Sequence, residues 1–161
     1  MKKIFFGFMF LISISGFTQS FTISELAKIS KYSADDFDTY VTKKGYIYHS
    51  ETDGDFSRGT SYTFLVDGLK TYYVSNFLDK VGKYAFWVSF QTPDTKNYLS
   101  IKEELKNYGY KLFDNGTMDG SNYFKYKKGN NMVSLWSIST TYGYTNRTRV
   151  AYEISFIVTS E

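Results

Sequence analysis

KYAFWVSFQT, residues 83–92, and RVAYEISFIV, residues 149–158, are two versions of one ten-residue pattern. Ala85, Ser89 and Phe90 recur as Ala151, Ser155 and Phe156, while Lys83, Phe86 and Val88 are answered by Arg149, Tyr152 and Ile154. Both stretches alternate in the way of a strand with one buried face. Tyr84, Phe86, Val88 and Phe90 share a face in the first, as Val150, Tyr152, Ile154, Phe156 and Val158 do in the second. The other face carries Ala85, Trp87, Ser89 and Gln91 in one copy and Ala151, Glu153 and Ser155 in the other.

Working outward, DDFDTYVTKKGYIY at 35–48 precedes the first copy and LSIKEELKNYGYKL at 99–112 precedes the second. Gly45 and Tyr46 match Gly109 and Tyr110 at an offset of 64, against 66 for the opening pair. Two matches in one order at nearly one offset signal an internal duplication. Thr22-x-x-Glu25 reads as a capping box for a short helix, and Ser33 caps a second that carries Phe37, Tyr40 and Val41 and ends at Gly45. Asp94 or Thr95 caps a helix carrying Tyr98, Ile101 and Leu105 and ending at Gly109. Four strands should follow in each copy, at 45–51, 60–66, 70–77 and 83–92, then at 109–114, 121–128, 131–139 and 148–158. Asp67-Gly68 and Lys128-Gly129-Asn130 supply corresponding hairpin turns.

The expected class is therefore α+β, with two tandem α-then-four-β repeats, 21–92 and 93–161, and an antiparallel sheet covered by helices on one face. That order resembles the exported β-lactamase-inhibitory proteins, which are built from two tandem helix-plus-four-strand repeats. It is also similar to the single-repeat lipoproteins of outer-membrane assembly. The likeness lies in topology and not in a shared motif. The inhibitory family carries disulfides where this chain has no cysteine, so no functional residue is carried over.

MKKIFFGFMFLISISGFTQS opens the chain with Lys2 and Lys3, a Phe-rich apolar run and small or polar residues before a cleavage site. This is the pattern of a secretory signal peptide spanning 1–20. Its apolar part is shorter than the roughly 20 residues a bilayer span needs, so no stable membrane insertion is expected after cleavage. The protein should be exported, to the periplasm or the medium. Of 19 basic residues two leave with the leader, so 17 face 16 acidic ones and the net charge falls from +3 to +1. That balance points away from nucleic acid. With 16 Tyr, 15 Phe and no cysteine, stability must come from aromatic packing.

Catalytic constellations are excluded chiefly by what is missing. No thiol is present, and His49 is the only histidine, so neither a cysteine nucleophile nor a multi-histidine metal site can form in one chain. Asp35-Asp36 suits a helix's first turn, and Glu103-Glu104 beside Lys102 and Lys106 suits a solvated helix face. ETDGDFS at 51–57 places oxygens on alternate positions, as calcium loops do, but lacks their distal acid, and like DNGTMDG at 114–120 it reads as a turn. Lys125, Lys127 and Lys128 read as guards of an edge strand. No cofactor, metal or catalytic residue is expected, and the chain reads as non-enzymatic.

The exchange of Trp87 for Glu153 is the informative difference between the copies. Both positions should face away from the core, and an outward tryptophan on a sheet is a typical partner anchor. Tyr73 or Tyr123 should join Trp87, depending on strand register. The expectation is a binding module for a protein or glycan, using Trp87, Tyr73, Tyr123 and Glu153. The alternative is a carrier that holds a small apolar ligand in an aromatic-lined cavity.

Overall fold

Thr22 opens the first helix by a reciprocal exchange. Its hydroxyl accepts from the Glu25 amide at 3.1 Å, and its own amide donates to the Glu25 carboxylate at 2.9 Å. The computed structural model describes residues 20–55, 57–66, 70–79, 84–142 and 147–159, so the expected signal peptide, apart from Ser20, and the expected Asp67-Gly68 turn lie outside the described residues. Helix α1 spans Ile23–Ile29 and α2 spans Ala34–Lys43, capped by Ser33. A third helix, α3, spans Thr95–Asn107 and is capped by Asp94. Both α2 and α3 end in a Schellman motif. Gly45 (φ 89°) and Gly109 (φ 77°) take the left-handed position. Tyr46 donates back to the Val41 carbonyl at 3.1 Å, and Tyr110 to that of Leu105 at 2.9 Å.

The strands are β1 Ile47–Asp53, β2 Ser57–Val66, β3 Lys70–Asp79, β4 Tyr84–Thr92, β5 Lys111–Met118, β6 Ser121–Lys128, β7 Asn131–Tyr142 and β8 Arg147–Thr159. They form one antiparallel sheet of eight strands in the order β1-β2-β3-β4-β8-β7-β6-β5. The fold is thus α+β and dominated by its sheet. Strands β4 and β8, the two opening stretches, meet at its centre, with Ser89 opposite Ser155. The register of β4 with β8 shifts between Tyr84 and Phe86, and two bulges interrupt the outer ladders, one between Tyr48 and Ser50 and one between Leu112 and Asp114. Each adds a residue to an edge strand, at His49 and at Phe113.

Three expectations are corrected by these elements. Gly45–Tyr46 and Gly109–Tyr110 belong to helix termination, so β1 and β5 start two residues later than the apolar pattern suggested. DNGTMDG is strand as far as Met118. Only Asp119 (φ 51°) and Gly120 (φ 75°) turn, both left-handed as a type I′ hairpin requires. Strand β6, with its lysines, is not an edge: β5 covers it, and the edges are β1 and β5.

The core sits against one face of the sheet. Val74, Val88, Phe90, Val133, Leu135, Ile154 and Phe156 point the same way by cross-strand register and are at most 1% exposed. They join Phe37 and Val41 of α2, Ile101 and Leu105 of α3, and Leu26 of α1 in one buried cluster. Phe21 packs edge-on against Phe90 at 5.0 Å, and Tyr98 stacks on Tyr152 at 4.3 Å. Without disulfides these rings supply the packing. Glu104 corrects a further expectation. Instead of lying on a solvated face, it accepts from the Ile23 amide at 2.8 Å and ties α3 to the start of α1.

Candidate ligand-binding face

Period-two alternation sends the residues between these core positions to the opposite face, and the strand registers set them in transverse rows. The central row is Ser50, Ser61, Ser75, Ser89, Ser155 and Ser134, one serine on each of six neighbouring strands. Beyond Ser134 it continues to Lys125 and Asp114. At about 4.8 Å per strand the six serines extend roughly 24 Å. Four of them, Ser75, Ser89, Ser134 and Ser155, are only 6–9% exposed, because larger side chains rise on both sides.

One bank is Phe77, Trp87, Ile157 and Met132. Trp87 stacks on Phe77, with ring centres 4.9 Å apart and planes 17° from parallel. Gly59 makes this shelf possible. It lies opposite Phe77 with no side chain, and the ring of Phe77 leans over it. The other bank is Tyr73, Gln91, Glu153, Trp136 and Tyr123. His49, displaced by its bulge, sets its ring against Tyr73 at 5.4 Å. Trp136 and Tyr123 pack together at 5.1 Å, and Gly116 leaves room beside the Tyr123 ring.

Polar contacts hold the floor and the second bank in place. Ser61 and Ser75 share a hydrogen bond of 2.8 Å. Gln91 Nε2 donates to Glu153 Oε2 at 2.9 Å, and Ser155 Oγ donates to Glu153 Oε1 at 3.2 Å. Where the row ends, Lys125 Nζ lies 3.0 Å from Asp114 Oδ2 and 4.8 Å above the Tyr123 ring.

Around β3 and β4 the banks enclose an open hollow of about 320 Å³, lined by His49, Ser61, Tyr73, Ser75, Phe77, Trp87, Ser89, Gln91 and Glu153. Three residues singled out from sequence, Trp87, Tyr73 and Glu153, meet there. The fourth, Tyr123, shares the bank of Tyr73 but stands four strands away, roughly 19 Å, beside Trp136. Sequence reasoning missed Phe77, Gln91, Trp136 and the serine row, and gave His49 no place in the site. A signal for the row existed, since Ser75, Ser89, Ser134 and Ser155 each follow an apolar residue inside a strand. Only the pairing registers reveal that they align.

Chemically, the face offers flat rings for stacking and hydroxyl, amide and carboxylate groups for hydrogen bonding. Among the described residues no group of three or more His, Asp and Glu side chains could hold a metal ion. The hydroxyls of Ser61 and Ser75 bond one another, and the carboxylate of Glu153 is engaged by Gln91 and Ser155. No family model, curated protein or solved structure matches the chain, so the function has to be argued from the geometry of this face.

Proposed function

We propose that this protein is an exported, non-enzymatic binding module that takes a protein or glycan partner on the sheet face carrying Trp87. The observation that supports this most is the hollow itself. A tryptophan and a phenylalanine stacked at 4.9 Å stand half-buried on its rim, beside Tyr73, His49, Gln91 and Glu153. Partner anchors are typically such aromatic side chains, set among polar groups that fix orientation. The carrier alternative has less in its favour, since rings in the buried cluster fill space against one another, as Phe21 does against Phe90.

In this reading the module is a tandem of two related αββββ halves, whose sheet is covered by helices on one face and free on the other. Three coincidences favour the duplication. Gly45 and Gly109 end their helices in the same motif at a separation of 64, and the bulges at His49 and Phe113 repeat that separation. At the centre, Trp87 pairs with Ile157 while Gln91 pairs with Glu153, so the β4–β8 ladder is symmetric about Ser89 and Ser155 at the offset of 66. An approximate two-fold axis through that pair would relate the halves. Trp87 and Glu153 then occupy equivalent places on opposite banks of one groove, and the exchange of one for the other makes the banks chemically different.

The test is a paired affinity capture from the envelope and medium of the organism, with wild type beside Trp87→Glu. Equivalence with position 153 predicts that the variant keeps its fold, which circular dichroism checks. A partner retained by wild type and lost by the folded variant supports the assignment. Equal capture of the same partner by both removes the site from Trp87.

A further inference from the structure

We propose that the serine row and its two banks form a cleft for a linear, uncharged pyranose glycan lying across the strands. This rests on reading the Trp87 face as the partner site, and it names the class of partner. Serine is an unexpected choice for paired positions inside six adjacent strands. β-Branched and aromatic side chains suit those positions better, and a buried hydroxyl costs free energy unless it finds a hydrogen bond. Ser75, Ser89, Ser134 and Ser155 are nonetheless 6–9% exposed within β3, β4, β7 and β8. What they create is a floor that is low, narrow and able to both donate and accept.

The spacing suits a sugar polymer. Hydroxyls recur along the floor at the strand separation of about 4.8 Å, close to the advance of an extended pyranose chain per sugar. Pyranose rings have C–H faces that stack on flat aromatic surfaces. Trp87 with Phe77 stands at one part of the groove and Trp136 with Tyr123 at another, on opposite banks. Gln91 and Glu153 are the planar, two-pronged groups that pair with adjacent ring hydroxyls, and Ser155 and Gln91 already hold Glu153 in place.

Charge and backbone chemistry disfavour the other polymers. The nine side chains lining the hollow include no lysine or arginine, so a polyanion would find no cation there. Lys125 at the end of the row is taken up by Asp114. An extended peptide gains its affinity from backbone hydrogen bonds at a sheet edge. On this face the backbone groups of β3, β4, β8 and β7 are already committed to their ladders. Hydroxyl groups, by contrast, meet hydroxyl groups.

The experiment is isothermal titration of the full-length gene product, recovered from an expressing culture, with neutral β-1,4-linked glucose and N-acetylglucosamine oligomers. Chains of one to about six sugars are compared, matching the six serines, together with an uncharged extended peptide of similar length. Affinity should rise with chain length, by about tenfold or more between disaccharide and hexasaccharide. Trp87→Ala and Ser89→Val should each weaken hexasaccharide binding about tenfold, and Ser89→Val should leave the melting temperature unchanged or raised. Ser89→Ala, which removes only the hydroxyl, provides the readout if valine disturbs the strand. If no oligomer binds, or affinity is independent of length, the glycan inference is overturned. Binding of the peptide alone also overturns it but leaves the face as a partner site. If nothing binds and the capture experiment shows no dependence on Trp87, both fall.

Discussion

Gly59→Ala probes the aromatic shelf from beneath. Gly59 is buried in β2, and a Cβ there would fall inside van der Waals contact of the Asn76 carbonyl oxygen and of Phe77 Cδ1, with Phe77 Cε1 at 3.0 Å. In an unencumbered strand the substitution would stabilise by about 0.5–1 kcal/mol, since alanine loses less conformational freedom than glycine. Here the obstructing oxygen belongs to the backbone of the neighbouring strand and cannot swing away, so an overpacking cost of about 1–3 kcal/mol applies. The expected outcome is a net loss of about 1–2 kcal/mol in urea unfolding. The Phe77 ring must also tilt, which breaks its near-parallel stack on Trp87. In a Trp136→Phe background, Trp87 is the sole tryptophan, and its emission and near-ultraviolet dichroism should change. Gly116→Ala is the matched control. The nearest atoms its Cβ would meet are the Tyr123 hydroxyl at 3.1 Å and two ring carbons at 3.3 Å, so its effect should be smaller. A Gly59→Ala protein as stable as wild type, with unaltered Trp87 spectra, would refute the shelf.

Other consequences can be read from the same geometry. Phe90→Ala removes a ring with no exposure that touches both Phe21 and Tyr72, and should cost about 3–5 kcal/mol in denaturant titration. Glu104→Ala releases the Ile23 amide and should cost about 1 kcal/mol, measurable as faster amide exchange in α1. Burial tends to raise the Glu25 pKa, but Lys44 at 2.6 Å, the Thr22 amide and the Tyr40 hydroxyl outweigh it and hold the carboxyl below its ordinary 4.5. A depressed folded-state value means the contribution is whole above pH 4.5 and lost as pH falls through that lower value. Thermal melts of wild type should therefore fall more steeply below pH 4.5 than those of Glu25→Gln. Tyr40, pushed up to about 12 first by burial and then by Glu25, acts on the alkaline side. Its contribution is whole below 10.0 and is lost as pH rises toward about 12.

Much of the fold could be read from local chemistry. The caps at Thr22, Ser33 and Asp94 and the terminating glycines at 45 and 109 mark the helices, because each satisfies backbone groups that the helix leaves unpaired. Alternation about Val88–Phe90 and Ile154–Phe156 identifies the buried face, because period two is fixed by the pleat. Long-range pairing was not legible. Nothing local says that β4 pairs with β8, or that Glu104 reaches across to Ile23. DNGTMDG shows the limit of turn chemistry. Its Asn115-Gly116 is as good a turn signal as Asp119-Gly120, yet the ladder with β6 carries it through as strand.

The candidate site divides along the same line. Trp87 was legible because its neighbours in sequence state which way it points, and Glu153 followed from the match between residues 83–92 and 149–158. Tyr73 and Tyr123 could be offered only as alternatives, since membership of a patch depends on the registers of β3 with β4 and of β6 with β7. The serine row is the extreme case. Each serine is a small residue on its own strand, and only five registers taken together align the six as the floor of a groove.

The most direct test of this face as the binding site is a two-dimensional nuclear magnetic resonance titration with a neutral β-1,4-linked hexasaccharide, or with a captured partner. The chain has two tryptophans, so its two indole N–H signals report on the two aromatic platforms separately. Both signals should shift, with the amides of Ser75, Ser89, Ser155 and Ser134, while Ile101 and Leu105 in the buried cluster stay still. Shifts confined to the helices or to the edge strands, with both indoles unmoved, would contradict it.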